Sequence, residues 1–339
     1  MEHSSPRVTA LDPALRVGCV ARRFRAVRRP LATTAAVIAA IGAGGADLAS
    51  AHGFAGKRFF PATLATDDPF VADELSLPTV ARRRTEDNGS STTETSASID
   101  FSKRITRDFG LGAGATWLRL EPSGGTRVQG WDNFALSAKY QFLKSDPDET
   151  IISVGVDADL GSTGASRVGA ESFSTITPTF FVGHGFGSLP DDMRLLRPFA
   201  ITGSVGIGVP TRTSSSSLDE DGNAVTEQHP SVLKFGFALE YSLGYLHSFV
   251  KDVGLSGALR NAVPIVEVAL QRPINRGGGP TTGTINPGIL FPGRTMQFGI
   301  EAVIPINGHT GGGTGVLLQL HFFLDDLLPR SLGKPLIGD

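Results

Sequence analysis

Histidines and charged side chains are the residues of this sequence with chemistry to offer, and their spacing decides which chemistry. His184, His229, His247, His309 and His321 are scattered over separate segments, and none stands at the short spacing of a metal centre or a nucleophile–base pair. His52 differs because it follows Ala49-Ser50-Ala51, a small-x-small cleavage pattern. Cleavage there would put a free amine and an imidazole on one residue, a pair able to chelate copper. With no second histidine close by, His52 is the one metal candidate, and neither a metal nor another cofactor is assigned. The chain has no Gly-x-Ser-x-Gly elbow, no HExxH and no GxxxxGK[ST] loop. Gly110-Leu111-Gly112-Ala113-Gly114 imitates part of a dinucleotide loop, but no helix follows it, so it reads as packing inside a strand. No catalytic residues are assigned and no enzyme activity is expected.

The remaining candidates are charged residues on the polar faces of alternating segments: Asp100, Asp157, Asp159, Glu240, Glu267 and Glu301 against Arg104, Lys139 and Lys234. Their setting follows from the period-two pattern that governs the chain from residue 78 onward. Phe134, Leu136, Ala138, Tyr140 and Phe142 share one face of a strand, with Ser137, Lys139 and Gln141 on the other. Ile152, Val154, Val156 and Ala158 oppose Ser153, Asp157 and Asp159, and Phe235 to Tyr245 continue the pattern at odd positions. The segments run to about ten residues or more, the length of tilted strands that cross a bilayer and longer than common sandwich strands. The fold class expected is all-β, a single-chain antiparallel transmembrane β-barrel of twelve strands, with ten as the alternative.

Those strands are placed near 78–86, 93–105, 109–121, 131–143, 150–160, 172–186, 197–209, 231–247, 262–271, 284–291, 295–306 and 315–325. The segment 284–291 contains Pro287, which predicts an edge-like or bulged piece. Trp117, Trp131, Tyr140, Tyr241 and Tyr245 fall near strand ends, as interfacial aromatics do. The short connections Arg107-Asp108 and Ser145 to Glu149 are assigned to the periplasm, and 121–130, 161–171 and 210–230 to the outside. In such a barrel the nine charged residues line the lumen, six acids to three bases, predicting a mild preference for cations or neutral solutes.

Four regions follow. Residues 1–51 carry seven Arg and three acids, with the Arg cluster 22–29 ahead of an apolar Ala-rich run, and read as a cleavable signal peptide of the Sec type. Cleavage would remove Cys19, the sole cysteine, so no disulfide is expected. Residues 52–77, which hold Phe54, Phe59, Phe60 and Phe70, are too aromatic for a linker and are expected to plug the barrel or dock at its periplasmic mouth. The barrel occupies 78–326 and a periplasmic tail 327–339. Asn88-Gly89-Ser90 matches a glycosylation sequon and reads as an outer loop.

Gly130-Trp131-Asp132-Asn133-Phe134 through Ala138-Lys139-Tyr140, and Thr284-Ile285-Asn286-Pro287-Gly288 leading to Phe298-Gly299-Ile300-Glu301 and Pro305, resemble stretches of a bacterial outer-membrane family of transporters of the "MetA-pathway of phenol degradation" type. The resemblance covers most of 78–326 and implies an outer-membrane barrel with a transport role and no agreed ligand residues. Thr314-Gly315-Val316-Leu317-Leu318-Gln319-Leu320 also resembles the signal read by the barrel-assembly machinery, although the chain runs on beyond Leu324. The expected location is the outer membrane of a Gram-negative bacterium. Expected partners are outer-membrane lipid, the assembly machinery and a small-molecule solute, with no nucleic acid; the oligomeric state is not legible. The function expected is a porin-like passive channel for small, hydrophobic or aromatic solutes. Its alternatives are an outer-membrane enzyme acting on lipid or peptide, and a structural barrel holding a periplasmic redox or metal-handling partner.

Overall fold

The computed structural model describes residues 53–87, 90–218 and 223–338; the region read as a signal peptide, His52 and Asn88-Gly89 lie outside them. The alternating segments become β1 (Glu74–Asp87), β2 (Ser90–Arg104), β3 (Phe109–Pro122), β4 (Ala135–Ser145), β5 (Thr150–Asp159) and β6 (Thr175–Gly185). They continue as β7 (Phe199–Pro210), β8 (Val232–Tyr241), β9 (Val263–Pro273), β10 (Thr282–Pro292), β11 (Met296–Pro305) and β12 (Gly315–Phe323). Each pairs antiparallel with its chain neighbours, and β12 returns to β1 through Phe323↔Glu74 to Val316↔Arg82, so a twelve-stranded barrel closes without an edge. The four-residue strand Val128–Trp131 extends β3 outside this ring, and Ser214–Leu218 with Ala224–Gln228 forms a separate hairpin in the β7–β8 connection.

Parity sorts the side chains. Val154 and Val156 are 42% and 40% exposed on the outer wall, whereas Ser153, the residue before Val154, is fully buried inside. Phe134, Leu136, Tyr140, Phe180, Phe235 and Ile300 are likewise bare of protein contacts over much of their surface. An apolar exterior of this extent is unfavourable in water and stable against hydrocarbon. Both ends of the barrel chain, Glu74 and Phe323, lie at one rim with the short β2–β3, β4–β5 and β10–β11 turns, which marks that rim as periplasmic.

The structure corrects four expectations. β1 begins at Glu74 and not at 78, because a register shift between Ser76 and Thr79 lets the strand pass through Pro78, which cannot donate to the ladder. β8 stops at Tyr241: Ser242 accepts a hydrogen bond from the Tyr245 backbone and starts helical turns over 243–250, so Leu243 and Tyr245 leave the alternating face. Tyr245 is therefore no interfacial anchor but is buried at the periplasmic rim. β10 is a full wall strand; its ladder to β11 is broken at Asn286 and Pro287 but keeps its register from Ile285↔Ile304 to Gly288↔Glu301, which replaces the predicted edge-like or bulged piece and removes the ten-strand alternative.

Candidate functional site in the barrel lumen

Residues 53–73 run inside the barrel. A tight turn, with Phe54–Ala55 paired to Arg58–Phe59, starts at the periplasmic rim, where the Gly56 amide donates to Asp146 Oδ1 at 2.9 Å. The chain then reaches the middle of β9, where Glu267 accepts from the amides of Leu64, Ala65 and Thr66 at 2.7, 3.0 and 2.7 Å and from the Thr66 hydroxyl at 2.7 Å. Four donors on one fully buried carboxylate replace its lost water, so charge-assisted bonds hold the turn at mid-lumen. From there the segment returns to the rim, with Lys139 donating to the Asp68 carbonyl at 2.6 Å and Ser153 to the Pro69 carbonyl. Wall glycines make the room: a Cβ on Gly299 would meet Leu64 at 2.6 Å, and one on Gly183 would meet Pro69 at 2.8 Å.

Two clusters fix the ends of this segment. Arg58, fully buried, donates through Nε to Glu149 at 3.1 Å and through its terminal nitrogens to the carbonyls of Pro198 and Arg197, with its guanidinium 4.1 Å from the Tyr245 ring centre. Tyr245 donates to the other Glu149 oxygen at 3.0 Å, and burial together with that carboxylate pushes its phenol up to about 12. At the other end Asp73 accepts from Lys103 Nζ at 2.6 Å, the Arg104 amide at 2.7 Å and Arg104 Nε at 2.9 Å. Asp325, in the turn Leu324–Leu327 after β12, accepts from the Asp73 amide at 3.0 Å and lies 3.1 Å from Arg104 Nη2. Burial raises its carboxyl to about 7 despite the Arg104 charge.

Beside the inserted segment runs a cavity of about 580 Å³, from Glu74, Ser76 and Gly110 near the periplasmic rim to Asp159, Gly206 and Lys234 toward the extracellular end. Asp100, Lys139, Asp157, Asp159 and Lys234 line it, together with Asp67 and Asp68 of the inserted segment. The other sequence candidates lie elsewhere. Glu267 holds the inserted turn, Arg104 belongs to the Asp73 cluster at the rim, and Glu240 and Glu301 are buried, the latter against Gly288. Among the described residues no three His, Cys, Asp or Glu groups are arranged to hold a metal ion. His184 bonds Thr150, His229 bonds Ser215, His247 pairs with Asp252, and His321 meets Ser76 at 2.9 Å.

Arg58, Asp73, Glu149 and Asp67 were not legible as site residues because they lie outside the alternating strands on which the lumen assignment rested. Their one signal was local: a basic pair, Lys57-Arg58, and an acidic pair, Asp67-Asp68, embedded among phenylalanines.

A closed twelve-stranded sheet, an apolar outer wall and a polar interior define a transmembrane β-barrel of the kind that resides in outer membranes. Among solved structures the chain is similar to an outer membrane channel from Pseudomonas putida F1, with a TM-score of 0.49 and 10% identity over 74% of this chain and 95% of that one. It is also similar to the translocator domain of the autotransporter NalP from Neisseria meningitidis, with a TM-score of 0.43 and 11% identity over 74% and 88%. No protein-family model matches the chain, and no curated protein matches it.

Proposed function

We propose that this barrel is an outer-membrane channel for small solutes whose passage is set by its own residues 53–73. The observation that carries the reading is the mid-lumen turn on Glu267, which narrows the interior without filling it: a cavity passes beside the inserted segment from Glu74 and Gly110 near the periplasmic rim to Asp159 and Lys234 toward the extracellular end. A wall with no transport role has no need of a cavity left open beside a tethered segment. The sequence resemblance to transporters of the phenol-degradation type supports a hydrophobic or aromatic cargo. Transport by this route is read as passive diffusion through the space left beside the inserted segment.

Planar-bilayer recordings test the reading. The full chain is expected to give small, cation-preferring conductance in a potassium chloride gradient, and Glu267→Gln, which weakens the charge-assisted tether, is expected to raise the conductance or the open fraction. Silence from both proteins, with folding verified by circular dichroism, would remove the channel reading.

A further inference from the structure

The cavity has features of a binding site as well as of a path. Of its lining groups, Asp67 projects from the inserted segment and interacts electrostatically with both Asp100 on β2 and Asp157 on β5, so it stands between two walls of like charge. Among the described residues no basic group comes within ion-pair distance of Asp67, Asp157 or Asp159. Lys139 Nζ is engaged by the Asp68 carbonyl and packs 4.5 Å from the Phe181 ring centre, and Lys234 supplies the other positive charge of the lining. Six carboxyl groups, those of Asp67, Asp68, Asp100, Asp157, Asp159 and, nearest the periplasmic rim, Glu74, and two ammonium groups face the cavity, leaving it short of cations.

A second observation is independent of that charge. Thr177, the register partner of Asp157, is 3% exposed and its hydroxyl has no partner, and Gln319 across the lumen is 6% exposed with its carbonyl oxygen likewise unpartnered. Both residues line the same cavity. Buried polar atoms are almost always satisfied, and an amide carbonyl can be satisfied only by a donor. Carboxylates short of cations, beside acceptors short of donors, ask for a group that is both cationic and rich in N–H bonds. The carboxylates are not gathered closely enough for a metal ion, which points to an organic cation.

We propose that the lumenal cavity binds small organic ammonium compounds, with Asp67, Asp157 and the Thr177 hydroxyl accepting the three N–H bonds of the ammonium group. This rests on the channel reading for its biological meaning but not for its test. The ligand's carbon skeleton is accommodated by the Phe181 side and the cavity's apolar portion.

Calorimetric titration of the detergent-solubilised full chain with phenethylamine, 2-phenylethanol and phenylacetate varies charge on nearly constant shape. Saturable binding of phenethylamine, at least about tenfold tighter than the alcohol, with phenylacetate weakest, is expected. Asp157→Asn combined with Asp67→Asn should abolish that preference, and Thr177→Val should weaken phenethylamine by about threefold while leaving the alcohol unchanged. Equal binding of amine and alcohol, no binding of either, or an unchanged preference in the folded double variant would overturn the proposal. Recording the same preparations in potassium chloride separates the two ideas: amine binding without conductance removes the channel reading alone, and conductance without amine selectivity removes the ammonium site alone.

Discussion

Arg58 shows how much one side chain decides here. Its guanidinium meets Glu149, two backbone carbonyls and the Tyr245 ring at once, all away from water, and no other residue type offers that fork of donors. Truncation to alanine leaves Glu149 buried, with only Tyr245 and the Gly187 amide as donors, and removing one partner of a buried ion pair costs about 3–5 kcal/mol. Arg58→Ala is therefore expected to lower the thermal midpoint of the detergent-solubilised protein and to expose residues 53–60 to protease. Arg58→Lys, with one ammonium for three acceptors, should fall between it and the native chain. Unchanged protease resistance in Arg58→Ala would mean that the Glu267 tether alone holds the segment.

At the scale of elements, the segment beyond β12 is coupled to the start of β1 through Asp325, and the coupling has a sign. A carboxyl held at about 7 in the folded rim, against an ordinary value of 3.8, binds its proton more tightly folded than unfolded. The linkage therefore destabilises the docked rim progressively as pH rises from about 4 to about 7, and the loss is complete above that window. Hydrogen exchange of the amides of Leu336 and Ile337, which donate to the carbonyls of Arg104 and Ile105, is expected to speed up over that range beyond the intrinsic rate. In Asp325→Asn the excess should vanish; an identical pH profile would locate the titration elsewhere. The rim also shows where sequence reading stops. Period two identified the twelve walls because each strand has its own in and out, legible from neighbours two residues apart. The Asp73–Arg104–Asp325 cluster joins positions far apart in the chain, and no local pattern announces it. Ser242 ended β8 for a reason of the same kind as any helix start, yet the apolar residues after it at Leu243 and Tyr245 kept the strand rhythm and hid the boundary. Five of the nine lumen candidates face the cavity because parity alone places them, while the groups that hold the inserted segment had to be seen in three dimensions.

For the whole molecule, the barrel is a protein turned inside out, polar within and apolar without, so the same substitution should have opposite consequences on neighbouring residues of one strand. Val154, 42% exposed on the outer wall near the middle of β5, faces hydrocarbon once the barrel is inserted. An arginine there costs about 2–4 kcal/mol at the bilayer midplane. Asp157, three residues on and across the wall, faces the polar cavity, where a change of charge alters the field felt by a solute and not the contact with lipid. Val154→Arg is expected to lower the urea midpoint for folding into phospholipid vesicles while leaving solute binding intact in molecules that do fold, and Asp157→Asn to do the reverse. Thickening the bilayer should move the penalty at Val154 little, since that residue stays near the midplane, but should expose a penalty at Trp131, which lies at the extracellular end opposite Trp117. If Val154→Arg folds as readily as the native chain in vesicles, that outer face is covered by protein in the membrane, and the barrel is a protomer of a larger assembly.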